Sequence, residues 1–325
     1  MARDVVVVTG AAGFIGARCV QALGTRRIPV VSVDGLDRFG TRPEHQHIDF
    51  GTRVSMDAVD AWLAGHGSSV RAIVHLGACT DTRETDRAYL YRVNVAASQQ
   101  LWRRAIEFDI PFIYASSAAT YGDGAFGYDD DEAVLPKLKP LNAYGDSKQE
   151  FDLWALGEER AGRVPAAWAG LKFFNVYGFG ERHKGGMSSV VIQAFDQIRA
   201  TGRVRLFKSH RSDVADGHQA RDFVFIDDVV DVLVSMADRP TARGIFNLGS
   251  GKARTFLDLA RAVFAAMEKP EQIDFVDTPP DLRKTYQYFT EAPMARLRAA
   301  GFATQPTSLE AGVNQYVRDL QAAQR

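Results

Sequence analysis

Tyr144 and Lys148 stand four residues apart in the stretch 140–148, PLNAYGDSK. On a helix that spacing puts both side chains on one face. An ammonium beside a phenol stabilises the phenolate, so the expectation is a tyrosine whose proton moves near neutral pH. A lone Y-x-x-x-K usually marks an ordinary helix surface, but here a hydroxyl precedes it. Ser116 or Ser117, at the end of the apolar run 111–117, can donate a hydrogen bond to a reacting oxygen. Hydroxyl, phenol and ammonium together suit hydride transfer: one orients the substrate oxygen, one moves its proton and one tunes the phenol.

The start of the chain supplies a place for a dinucleotide. Val5, Val6, Val7 and Val8 form a β-branched run of the kind buried on both faces of a parallel sheet. It leads into Thr9-Gly10-Ala11-Ala12-Gly13-Phe14-Ile15-Gly16, and a helical pattern follows to about Arg26. One glycine makes the tight turn, one lets backbone approach a pyrophosphate, and one allows helix to pack close on strand. The helix N-terminus then presents unpaired N–H groups to the phosphates. The spacing is G-x-x-G-x-x-G, and a glycine trio alone is weak; the strand–turn–helix context gives it meaning. The next strand, 30–33, ends at Asp34, about 20 residues on, where an acid bonds the adenosine ribose and favours NAD. Arg38 and Arg42 follow in the same loop, and an arginine there takes a 2′-phosphate. The residues alone leave NAD and NADP open.

The elements that must position these groups alternate. Strand 70–76 ends in Gly77-Ala78-Cys79-Thr80, small residues that let a cofactor lie against backbone, with Cys79 read as a space-filler. A helix is expected over 87–107; Asn94 inside it either hydrogen-bonds across the site or faces water. Strand 111–117 runs into the turn 118–122. Beyond it come strand 166–173, helix 188–200, strands 204–207 and 223–226, helix 228–237 and strand 245–248. Thr255 and Asp258 read as a capping box for a helix to Met267, and 307–310 as another for a last helix ending near Gln321. This alternation predicts an α/β fold, a Rossmann-type doubly wound parallel sheet with a smaller, interleaved C-terminal α/β domain. The expected division is 1–170 for dinucleotide binding, with segments returning near 223–250, and 171–325 for substrate.

Composition sets outer bounds. The 325 residues, 46% hydrophobic and 24% charged, give ample core for one large or two modest domains. A net charge of -1 gives no nucleic-acid footprint. Two cysteines, Cys19 and Cys79, do not make a disulfide framework and fit a reducing compartment. No signal-peptide pattern or membrane-length apolar run is visible, so a cytoplasmic location and no membrane contact are expected.

Thr9–Gly16 and the Tyr144/Lys148 pair resemble the motifs of extended short-chain dehydrogenases/reductases, the superfamily of nucleotide-sugar epimerases and dehydratases. The stretches 115–122 (ASSAATYG), 174–187 (FNVYGFGERHKGGM), 221–224 (RDFV), 244–251 (GIFNLGSG) and 281–290 (DLRKTYQYFT) narrow the likeness. Nearly end to end, the chain resembles the ADP-glyceromanno-heptose 6-epimerases of lipopolysaccharide core synthesis. The resemblance implies an isomerase acting at C6 of ADP-D-glycero-β-D-manno-heptose through a transient 6-ketone. Its catalytic residues would be Ser117, Tyr144, Lys148 and Lys184, with Tyr144 and Lys184 as bases on opposite faces of the sugar. Cofactor contacts would fall on Gly10, Gly13, Phe14, Ile15, Gly16, Asp34, Gly35, Arg42, Leu76, Gly77, Ala78, Cys79, Thr80, Asn94, Lys148 and Val176. The family favours NADP, with Arg42 on the phosphate, so NADP is expected and NAD possible. Substrate contacts would fall on Asn175, Lys184, Gly186, Gln193, Phe207, Lys208, Ser209, His210, Arg221 and Tyr286. A homo-oligomer, often a pentamer, is implied as well.

Some positions depart from the family pattern. Gly186 stands where many relatives have serine, Gln193 where they often have another polar residue, and the polar stretch 209–220 is longer than usual. That stretch holds His210, Asp213, Asp216 and His218, but no ligand spacing supports a metal, and a solvated lid loop is expected. Arg221 suits a diphosphate through its forked donors; the alternative is an ion pair with Asp222, Asp227 or Asp228. A UDP- or dTDP-sugar 4-epimerase or 4,6-dehydratase is the rival on the same scaffold, though a dehydratase wants an acid where Ala118 and Ala119 stand. A non-catalytic nucleotide-binding sensor would be expected to have lost Tyr144 or Lys148.

Overall fold

A computed structural model describes residues 3–283, 286–302 and 305–323. Lys284 and Thr285 of the 281–290 stretch lie outside them. The strands are β1 (Val5–Thr9), β2 (Val30–Val33), β3 (Thr52–Val54), β4 (Val70–His75), β5 (Phe112–Ser117), β6 (Trp168–Phe173), β7 (Asn175–Tyr177), β8 (Val204–Phe207), β9 (Ala220–Phe225), β10 (Arg243–Leu248), β11 (Ala253–Thr255) and β12 (Ile273–Val276). Seven form one sheet in the order β3-β2-β1-β4-β5-β6-β10, every neighbour parallel. The order turns back between β1 and β4, and in such sheets ligands lie in the crevice beyond the strand ends at that point. Smaller sheets, β11-β9-β7 and β12-β8, carry much of the second half.

The large sheet forms where the sequence is most apolar. Val6, Val7 and Val8 are fully buried, and sequestering each valine side chain is worth roughly 1.5–3 kcal/mol. Helix Phe14–Thr25 leaves β1 and packs against helix Ile226–Asp238. Helix Ala143–Arg160 lies over β5, wedged by Phe151 and Trp102, whose rings are 6.3 Å apart. Trp102 in turn meets Trp168 of β6 at 5.3 Å. That aromatic seam fixes the helix carrying Tyr144 and Lys148 relative to the ends of β5 and β6.

Several boundaries differ from expectation. The 87–107 helix is broken by a π-helical turn over Tyr91–Ala96. The strand expected at 223–226 is β9, Ala220–Phe225, and Ile226 already opens the next helix. Thr255 and Asp258 do form a capping box. At the last helix, Leu309–Ala322, the cap is Ser308, while Thr307 turns aside to bond Asp228. Among the described residues no helix is long and apolar enough to cross a membrane.

Candidate active site

The glycine turn is closed by contact as well as by conformation. Gly10 has φ +65°, and a Cβ there would lie 2.7 Å from the Gly77 nitrogen. A Cβ on Gly16 would lie 2.1 Å from the Gly10 carbonyl oxygen. Gly13 caps the helix with no side-chain hydrogen bond, so among the described residues the first-turn N–H groups around Phe14, Ile15 and Gly16 have no side-chain acceptor. Gly77 N–H donates to Thr9 Oγ1 at 3.0 Å, and Thr9 Oγ1 bonds His75 Nδ1 at 2.6 Å, tying β1 to β4 where the sheet order reverses. A cradle that only glycine leaves open, at a helix N-terminus in that crevice, fits a dinucleotide pyrophosphate.

Asp34 is committed at both oxygens. Ala12 N–H donates to one at 3.1 Å; Gly35 N–H donates to the other at 2.8 Å, and Arg38 pairs with it at 3.1 Å. Arg42 is the cation left over the turn, donating to the Ala12 carbonyl. Burial pulls its guanidinium down and Asp34 opposes that. Asn94 is buried and faces protein, not water. Its amide donates to the Cys79 carbonyl (3.0 Å) and Ser147 Oγ (2.9 Å), and its oxygen accepts from Cys79 N–H (2.8 Å). The π turn aims it this way, clamping the run from Leu76 through Ala78 to Thr80 onto the helix of Tyr144.

The two serines separate by strand alternation. Ser117 is the largest influence lowering the Tyr144 phenol, and its Oγ accepts from Ala119 N–H at 3.1 Å, whereas Ser116 Oγ donates to Asp152 at 2.7 Å. Tyr144 and Lys148 are both buried on one face of their helix. The expected phenolate is corrected: burial raises the Tyr144 phenol, with the Ser117 hydrogen bond the largest opposing influence. Lys148 donates to the Ala115 carbonyl at 3.0 Å, and burial lowers it to about 8. Desolvation is the largest influence on both groups.

Lys184 comes from a separate loop, the 3-10 turn Arg182–Met187. Its Nζ lies 3.7 Å from the buried Glu181 Oε2 and 5.4 Å from the ring centre of Phe14, the first residue of the helix behind the glycine turn. Burial raises the Glu181 carboxyl, with Lys184 the largest opposing influence. His45 Nε2 meets the Gly180 carbonyl at 3.0 Å, and its ring meets His183 at 5.6 Å, so the Arg42 and Lys184 loops touch. Gly186 has open space around it. Gln193 spends its amide on the Ser188 carbonyl at 2.8 Å.

A second group gathers about Arg221. The guanidinium is buried, donates to the carbonyls of Ala220 (2.9 Å) and Gln287, and lies over Tyr286 at 5.3 Å and Phe256 at 5.6 Å. The ion-pair alternative is corrected. Asp222 accepts from Ser250, Gly251 and Ala292, Asp227 pairs with Arg18, and Asp228 takes Thr307. Among the described residues no carboxylate pairs with Arg221, and burial pulls its guanidinium down. Phe207 and His210 each stand 6.4 Å from Tyr286. Tyr288, which the sequence did not single out, bonds His210 Nδ1 at 2.9 Å. Lys208 swings outward to Asp277, and Asn175 is exposed on β7, beside half-buried Val176. In the 209–220 loop, Asp216 accepts from Ser209 N–H and Asp213 pairs with Arg211. Gln287 donates to the Gly122 carbonyl at 2.5 Å, joining this group to the turn after Ser117.

The comparisons agree with this geometry. Residues 6–249 match the NAD dependent epimerase/dehydratase family. The chain is 46% identical over 324 residues to the ADP-L-glycero-D-manno-heptose-6-epimerase of Nitratidesulfovibrio vulgaris strain DP4, covering 98% of each. It is 41% identical over 331 residues to the enzyme of that name from Fusobacterium nucleatum, again covering 98% of each. The Helicobacter pylori ADP-L-glycero-D-manno-heptose-6-epimerase structure shares the fold, with TM-score 0.78 at 22% identity over 98% of this chain and 97% of that one. The chain belongs to the NAD dependent epimerase/dehydratase family, and it is an epimerase built around a nicotinamide cofactor.

Proposed function

We propose that the enzyme interconverts ADP-D-glycero-β-D-manno-heptose and its L-glycero epimer at C6, with NADP held throughout. The observation that carries this is Lys184 Nζ 5.4 Å from the ring centre of Phe14, at the start of the helix behind the glycine turn, in a chain that also buries Tyr144 and Lys148 on one helix face. Ser117, Tyr144 and Lys148 lie at the end of β5, and Lys184 rests against Phe14. The whole-length likeness to relatives bearing that activity in their names supports the substrate.

A nicotinamide held there would take up the C6 hydride and give it back. One of Tyr144 and Lys184 takes the proton of the C6 hydroxyl as that hydride leaves, giving a 6-ketone. The other supplies a proton to the oxygen as the hydride returns, once the sugar end has turned over. Burial raises the Tyr144 phenol, and Ser117 orients the oxygen it serves. Arg221, buried without a carboxylate partner among the described residues, suits the ADP diphosphate. Holding that remote group steadies the reacting end without committing it to either face. Arg42, with Asp34 already engaged by Arg38, is the cation for a 2′-phosphate.

The test is incubation of purified enzyme with ADP-D-glycero-β-D-manno-heptose and resolution of the two epimers by NMR. A mixture of both is expected. Unchanged heptose alongside turnover of UDP-galactose would overturn the assignment.

A further inference from the structure

Beneath Ser117, Tyr144 and Lys148 lies a closed polar network. Asp152, one turn beyond Lys148 on the same helix, and Lys172, in β6, are both fully buried. Lys172 Nζ donates to Asp152 Oδ2 at 2.6 Å and to Thr120 Oγ1 at 2.7 Å. The same carboxylate accepts from Ser116 Oγ at 2.7 Å and from the Tyr114 phenol at 2.9 Å. Thr120 in turn donates to the Ser117 carbonyl at 2.8 Å. Ser117 is thus gripped from both sides: its predecessor by Asp152, its own carbonyl by a threonine that Lys172 holds.

Burying an ion pair gains little stability over apolar residues of the same volume. Here two ammonium groups and one carboxylate share the floor of the proton-carrying site, which calls for a reason other than stability. We propose that Asp152, braced by Lys172, is a positioning residue that fixes the Ser117 hydroxyl against the Tyr144 phenol and serves as counter-charge to the Lys148 ammonium. This rests on the epimerase chemistry proposed for those three residues. The groups facing Lys148 are Asp152 on its own helix, Cys79 after β4 and His75 in β4. Those facing Asp152 are Lys172 from β6, Tyr114 and Ser116 from β5, Tyr121 after β5, and Tyr144. Burial lowers Lys148 to about 8, and Asp152 is the largest influence opposing it.

The test follows Lys148 directly, in full-length protein carrying 13C at the lysine ε-carbon, with the resonance assigned by its loss in Lys148→Met. In Lys172→Met, Asp152 loses its paired ammonium while keeping Ser116 and Tyr114, and the Lys148 titration midpoint should rise. In Asp152→Asn/Lys172→Met the carboxylate and its partner ammonium are removed together, so no buried ammonium is stranded at position 172. There the midpoint should fall below that of the wild type, and kcat should drop about 100-fold as Ser117 loosens. The alkaline limb of the kcat–pH profile should move with the NMR midpoint, which a purely structural defect would not do. An unchanged Lys148 midpoint in either variant, or an unchanged kcat in the double variant, would overturn the role. If the wild type fails to interconvert the ADP-heptoses, the proposed activity falls, while the lysine midpoints still decide Asp152.

Discussion

Gly16 is packed hard against the turn, and substituting alanine there is the sharpest test of the dinucleotide site. The added methyl would sit 2.1 Å from the Gly10 oxygen, 2.7 Å from the Gly10 carbonyl carbon and 2.9 Å from Ala11 Cα. Ordinary contact begins at 3.4 Å, so helix and turn must part by roughly 1.3 Å. All three obstacles are backbone, and none can rotate aside. Overpacking of this kind costs about 1–3 kcal/mol of stability. The same displacement carries the first-turn N–H groups away from the phosphates, and we expect NADP affinity to fall at least tenfold, about 1.4 kcal/mol. Gly24 is the control: it lies in the same helix with nothing within 4 Å of an added Cβ. Gly24→Ala should leave binding alone and stabilise by up to about 1 kcal/mol through helix propensity. Urea midpoints and fluorescence titration of cofactor-free protein read both effects. Wild-type affinity and midpoint in Gly16→Ala would refute the close-packed turn.

Three further outcomes follow from the site. Tyr144→Phe and Lys184→Met should each slow epimerisation by about 100-fold or more while the cofactor stays bound, as expected for lost acid–base groups; a Lys184 variant at wild-type rate removes that residue from the chemistry. Arg42→Ala should weaken NADP more than NAD in parallel titrations, and equal losses would mean that Arg42 does not read the 2′-phosphate. His75, buried between Thr9 and Ser98, is pushed by burial from 6.5 down to about 3. The unfolded chain therefore binds a proton that the native state refuses, and stability is lost as pH falls from about 6.5 towards 3. At about pH 5.5 the loss is about 1.4 kcal/mol. His75→Gln should flatten that part of the denaturation-versus-pH curve, and an unaltered slope would show that His75 does not set it.

Legibility in the sequence tracked how much each residue's own type dictated. The large sheet's strands were readable because Val5–Thr9, Val70–His75 and Phe112–Ser117 are buried runs whose composition alone demands a core. The edge strand Thr52–Val54, with two of three residues exposed, and the three-residue β7 and β11 carry no such pattern; pairing partners create them. The glycine turn and the Tyr144/Lys148 spacing were likewise local. What sequence reasoning missed was collective. The Tyr144/Lys148 spacing was visible, but the burial that raises the phenol belongs to the fold. Asp152 could have been flagged, lying four residues beyond Lys148 on the same helix face. Its partner Lys172, inside an apolar strand, had no signal linking it across the intervening chain.

The position of β10 has a consequence for how the chain is made. All six residues of β6, WAGLKF, are buried in the finished protein, partly because β10 lies alongside them. Translation delivers β10 only at residues 243–248. At roughly 5–20 residues per second, a nascent chain spends several seconds with that edge unpaired. A product truncated near residue 240 would carry a bare, apolar strand edge permanently, and it should accumulate in inclusion bodies rather than as a smaller working enzyme.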